Sequence, residues 1–261
     1  METPLHTTGD VELAKDFCKY ADEQLAGQSS AASTACYHGI GHGAVDGTDP
    51  GAWGDIEAMM KPGFTLCSLI VETKFQDYLC ATGIYNAIEV LARDSKYDIS
   101  EVYDKPFSVC NAQPIKYREA CYSNIVLIAA LWKSNNNIAA AADYINRNMI
   151  DKEFLAVGKY TVNEMITMGL FFEYIRLNIN TNPNYMADGI KLCRKQPDDD
   201  RLACIIGLSG GHLKYGPPGT EYIKNIEACN HKDLYADERN ACYSYFLPLS
   251  LIHISEPTRP Y

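Results

Sequence analysis

The sequence predicts an all-α fold, a right-handed array of α-α hairpins in about six units of roughly 40 residues, each hairpin stapled by a disulfide. Three observations carry that expectation. The 10 cysteines fall into consecutive pairs: Cys18 and Cys36, Cys67 and Cys80, Cys110 and Cys121, Cys193 and Cys204, Cys229 and Cys242. The second member of each pair opens a similar stretch, CYHGIGHGA at 36, CATGIYNAI at 80, CYSNIVLIA at 121, CIIGLSGGH at 204 and CYSYF at 242, and ITMGLFFEY at Ile166 reads as a further frame without its cysteine. The frames are 44, 41, 45, 38 and 38 residues apart, the period of stacked supersecondary units. Finally, apolar residues recur at helical spacing, and no strand-like alternation bounded by hairpin turns occurs.

In chain order, Met1 to Asp10 has neither a basic n-region nor an apolar h-region and is expected to be disordered, with the helical domain spanning 11–248. Each unit reads as an outer helix followed by an inner one. Arg118 to Lys133 is apolar nearly all round, as an inner helix between neighbours must be, whereas Ile138 to Met149 is alanine-rich and amphipathic. Breakers at TDPG48, KPG61, NPN182, PDDD197 and GPPG216 are expected between elements. The first cysteine of a pair then ends an outer helix, and the second lies in the first turn of the inner helix. Ten cysteines allow on the order of a thousand pairings. The repeat selects the consecutive ones, and the frame at Ile166 lacks both cysteines together, as a paired role requires. The unit at Cys242 has only Tyr243 to Leu247 before Pro248, so its inner helix is expected to be cut short and a capping helix missing.

Composition narrows the function. Lys and Arg number 23 against 33 Asp and Glu, a net charge of -10 without a basic cluster, so nucleic acid is not an expected partner. The longest apolar run, Ile125 to Trp132, is far short of the roughly 20 residues needed to cross a bilayer. The cysteine content points to an extracytoplasmic compartment, periplasmic, secreted or surface-exposed.

The plan resembles tetratricopeptide-like helical repeat proteins from about Val11 to Leu247. The Trp, Leu-Gly and Pro positions of that motif are not matched, so the resemblance implies helix-hairpin stacking alone. Leu249 to Arg259, LSLIHISEPTR, resembles a translated sequencing-library adapter. Residues 249–261 are therefore expected to be a non-native tail that breaks the helical pattern, and His253 carries no functional weight.

The sharpest local motif is CYHGIGHG at Cys36. His38 and His42 share one helical face with Asp46, and two imidazoles and a carboxylate at that spacing can chelate a divalent transition metal, zinc foremost. Gly39 stands where a zinc-protease HExxH motif has its glutamate. Three glycines in this helix each cost about 1 kcal/mol relative to alanine. Gly39 belongs to the repeat and is read as packing; Gly41 and Gly43 do not recur and point to backbone approach by a ligand. Aligned frames place Thr82, Ser123, Met168, Ile206 and Ser244 at the position of His38, and Asn86, Leu127, Phe172 and Gly210 at that of His42.

That face is polar early and apolar late. His38, His42, Thr82, Asn86, Glu89 and Ser123 are accordingly expected to line a concave surface, with Glu89 as a further ligand or proton acceptor. The expected role is a binding scaffold for a peptide or other protein, a glycan or a small ligand; the alternative is a metal-dependent enzyme centred on His38 and His42. Glu173 is read as a solvated helix end and His212 as a cationic C-terminal cap. His6 and His231 have no partners at ligand spacing. No phosphate-binding loop, nucleophile elbow or redox CxxC is present.

Overall fold

The computed structural model describes residues 11–25, 30–149, 160–216 and 221–254, and among them every regular element is helical. In order they are α1 Val11–Leu25, α2 Ser30–Asp46, α3 Ile56–Ile70, α4 Lys74–Leu91, the short α5 Glu101–Asp104 and α6 Pro106–Asn111, α7 Ile115–Cys121, α8 Leu127–Lys133 and α9 Ile138–Asn148. They continue with α10 Val162–Asn178, α11 Tyr185–Cys193, α12 Asp198–Tyr215, α13 Glu221–Cys229 and α14 Ala236–Ile254. The expected disordered segment at 1–10 lies outside the described residues.

Local chemistry accounts for the starts. Thr73 and Thr161 each close a capping box, with Gln76 and Glu164 three residues on, while Asp55 and Asn137 accept from the backbone amides of Ala58 and Ala140. Three expectations change. KPG61 is not a breaker: Pro62 lies inside α3, on its exposed side, where water can take the hydrogen bond that the ring removes. The inner helix expected over Arg118 to Lys133 is interrupted by a π turn at Tyr122–Val126. The helical pattern does not break at Leu249, because α14 runs to Ile254; this stretch is rich in Leu and Ile, and its next proline is Pro257.

All five consecutive cysteine pairs are disulfide-bonded, with Cα–Cα separations of 5.4 to 5.9 Å. Cys193 and Cys229 close α11 and α13 as expected. The partner cysteines Cys80, Cys121, Cys204 and Cys242 sit in the second helical turn, each the seventh residue of its helix, rather than in the first. One extra turn before the bridge leaves room for the N-terminal cap.

The described residues form two compact units, 11–129 and 130–254, divided within α8. In the first, α2 lies along α4, with Ile84, Tyr85 and Ile88 of α4 and Met59, Met60 and Ile70 of α3 fully buried. In the second, α10 lies along α12, and Met168, Ala203, Ile206 and Ala241 form a core.

Both close helix pairs use the repeat glycine in the same register. A Cβ on Gly83 would overlap the carbonyl oxygen of His38, and one on Gly207 would lie 2.5 Å from the carbonyl oxygen of Met168. Gly83 and Gly207 each stand three places into their frames, and His38 and Met168 two places into theirs. Gly41 completes the contact reciprocally, since its Cβ would overlap the carbonyl of Cys80. Gly41 is thus occupied by helix packing, which removes the ligand-approach reading at that position.

Candidate functional site

The close approach of α2 and α4 sets the geometry of the polar face. With the His38 backbone pressed on Gly83, its side chain reaches the neighbouring Thr82, Nδ1 to Oγ1, at 3.0 Å. Thr82 gives its only hydroxyl proton to the carbonyl of Leu79 at 2.6 Å, so it must accept from His38, which places the imidazole proton on Nδ1. One turn on, His42 Nδ1 donates to Asp46 Oδ2 at 2.8 Å, and that carboxylate raises the His42 pKa above its ordinary value. The two rings are 6.4 Å apart, and all three side chains from His38, His42 and Thr82 are half-buried.

Asp46 therefore orients His42. Among the described residues, no group of three or more His, Cys, Asp or Glu side chains is arranged to hold a metal. Asn86 is half-buried one turn beyond Thr82 on α4. Glu89 is only 1% exposed and already engaged: Arg93 donates to its Oε1 from Nε at 2.9 Å and from Nη2 at 2.6 Å, and the Tyr103 hydroxyl donates to the same oxygen at 3.0 Å. Its carboxylate is thus paired with the exposed Arg93, just past the end of α4, and tied to α5.

Ser123 is half-buried, at the second residue of the π turn, and its Oγ is buried without a hydrogen-bond partner. Four residues earlier, Glu119 is 7% exposed and lies beside the Tyr78 hydroxyl of α4, while its Oε2 is buried without a partner. Burial pushes its pKa up to about 7, although the neighbouring Tyr78 hydroxyl acts in the opposite direction. Burial and the nearby Glu119 carboxylate push the Tyr78 phenol upward. Sequence reading missed both residues. The available signal was one acid standing just before an opening cysteine in a helix otherwise apolar on nearly all sides.

The polar face thus runs from the His38 and Thr82 pair on α2 and α4 to the Tyr78 and Glu119 pair on α4 and α7, with Ser123 beside the latter. In the second unit the register equivalents of His38 and Thr82 are Met168 and Ile206, only 4% and 5% exposed, packed against Tyr160, Met165, Leu202 and Tyr245. The same backbone contact is polar and partly open in one unit, apolar and covered in the other.

Two other readings are corrected. Glu173 is not a solvated end, because it accepts from the Tyr215 hydroxyl at 2.6 Å and from Arg176 Nε at 2.5 Å. His212 is not a cationic cap. It is 1% exposed, its Nε2 lies 3.3 Å from Met186 Sδ, its Nδ1 has no partner, and burial pushes its pKa down to about 4. An unfolded histidine titrates near 6.5, so the folded state binds fewer protons between those values, and the stability present above about pH 6.5 is lost as the pH falls toward 4, by roughly 3 kcal/mol. Urea denaturation at pH 7 and 4.5 should show this acid loss in the wild type and much less of it in His212→Gln; equal losses would remove His212 as the cause.

Among the described residues, fold and site together define a disulfide-linked, all-helical protein with a partly open polar face on α2 and α4, and no described helix is long and apolar enough to cross a membrane. Comparison of the chain with protein-family models, curated proteins and solved structures gave no match.

Proposed function

We propose that the chain is an extracytoplasmic helical-hairpin repeat scaffold whose first unit presents the polar face of α2, α4 and α7 to a peptide, glycan or small ligand. One observation carries this reading. Inner-helix positions filled by buried Met168 and Ile206 in one unit hold half-buried His38 and Thr82 in the other, although the glycine contact behind them is the same. A half-open row of hydrogen-bonding groups costs stability unless it is used, because apolar side chains would pack there as they do in the second unit. The disulfides support export, since such bridges persist in oxidising compartments. The repeated glycine register supports a hairpin array.

A metal-dependent enzyme is the second reading, favoured by the bond from His42 Nδ1 to Asp46. A carboxylate that fixes Nδ1 in this way orients Nε2 for a metal such as zinc. One set of measurements separates the two. Histidine- and threonine-labelled protein is titrated with oligosaccharide, peptide and small-metabolite panels and followed by NMR. The scaffold reading expects shifts at His38, His42 and Thr82 that are lost in Thr82→Val and Ser123→Ala variants of unchanged melting temperature. Ligands that move only second-unit residues, or no shift with any class, would overturn it. Stoichiometric zinc in the wild type, lost in the His38→Ala/His42→Ala variant, would transfer the reading to the enzyme.

A further inference from the structure

Among the described residues, Glu119 is an acid of the polar face whose charge has no cation to meet it. Tyr78 and Asp77 come toward α7 from α4, but both Asp77 oxygens are taken, by Lys116 Nζ at 2.9 Å and by the Tyr117 hydroxyl at 2.9 Å. On its own helix, Arg118 Nε donates to the Gln113 carbonyl at 3.0 Å. From α6, Cys110 is bridged and no other residue ionises; from the π turn, the Tyr122 hydroxyl donates to Asn111. Among the described residues, Glu119 is thus left facing the Tyr78 hydroxyl, with its Oε2 buried and without a partner. A neutral carboxyl tolerates that surrounding, whereas an ionised one must gain water or leave. The means of leaving lies directly behind it. The π turn at Tyr122–Val126 is a widened, locally weaker stretch of helix, of a kind often found at functional sites.

We propose that the Glu119 carboxyl is a protonation latch on the polar face: neutral, it stays dry between α7 and α4; ionised, it draws water to its unpartnered Oε2 and loosens α7 from α4 on the Thr82 and Ser123 side. As regulation of the face this rests on the scaffold reading, but the latch is read without any ligand, so either can fail alone.

The test uses the protein with its disulfides intact. Carboxyl carbon NMR should show Glu119 titrating near pH 7, with the amides of Tyr78 and Ser123 moving at the same midpoint. In denaturant, the folding constant of the wild type relative to Glu119→Gln should fall roughly a hundredfold between pH 5 and 8, since a raised folded pKa favours folding at acid pH and the advantage is lost as pH rises. Tyr78→Phe removes the hydroxyl that favours the ionised form and should move the midpoint upward. A Glu119 midpoint near 4.3, the ordinary glutamate value, overturns the latch. So does an identical pH profile in wild type and Glu119→Gln. If the glutamine variant does not fold, the carboxyl titration of the wild type decides.

Discussion

Gly83→Ala should destabilise the first unit by about 3 kcal/mol or more, a large effect for one methyl group. Its Cβ would overlap the His38 carbonyl and lie 2.9 Å from the His42 amide nitrogen, and both are backbone atoms of a helix that cannot turn aside. Nor is α2 free to back away as a body, because Cys36 is bridged to Cys18. Gly189→Ala is the internal control. Its Cβ would meet Leu208 Cδ2 and Tyr174 Cε1, both at 2.9 Å, which are side-chain atoms that can shift. Denaturant titrations followed by circular dichroism should therefore rank Gly83→Ala well below Gly189→Ala. Equal costs would mean that the carbonyl contact does not constrain the fold.

Reduction should have a larger effect still. Each bridge closes a separation of 11 to 18 residues, and closing a loop of about 15 contributes roughly 3 kcal/mol in the chain-entropy model. Three bridges in the first unit and two in the second together rival the ~5 to 15 kcal/mol that a typical domain retains in total. Complete reduction with thiol blocking should unfold the chain at room temperature. Removing the single pair Cys193 and Cys204 as alanines should cost about 3 kcal/mol. Retention of native circular dichroism and a cooperative melt after full reduction would show that the helix packing is self-sufficient.

Much of this framework was legible in the sequence because a cysteine pattern is a record of chain geometry. The regular pairs, and their joint loss around Ile166, specified the five bridges directly. Helix class followed from apolar spacing. What spacing could not show was which backbone approaches which. Gly39 and Gly41 look alike in the motif, yet the packing contact with Cys80 falls on Gly41, because contact depends on the direction from which α4 arrives. Pro62 was equally opaque: a proline on the exposed side of a helix is tolerated where one on the buried side is not.

The polar face was legible in part. Position-by-position alignment brought His38 and Thr82 together, and they are hydrogen-bonded. Glu89 and Asp46 share helical faces with their expected partners, but Glu89 answers to Arg93 and Tyr103, and Asp46 serves His42. Glu119 and His212 were misjudged or missed for one shared reason. The protonation of a side chain follows from the solvent it loses, and solvent loss is fixed by elements distant in sequence.

The carbonyl-on-glycine contact also separates chain length from alignment. Successive frames lie 44, 41, 45, 38 and 38 residues apart, while the two contacts at Gly83 and Gly207 keep one register. The six-residue difference between the 44-residue spacing of the first contact and the 38-residue spacing of the second thus leaves the contact register unchanged. An extra residue in the turn after α2 would leave Thr82 under His38, whereas one inserted within α4 between Cys80 and Thr82 would swing that hydroxyl about 100° around the helix. Insertions and deletions are thereby sorted by location into neutral and disruptive classes, and a chain built this way can lengthen or shed turns without retuning its interior.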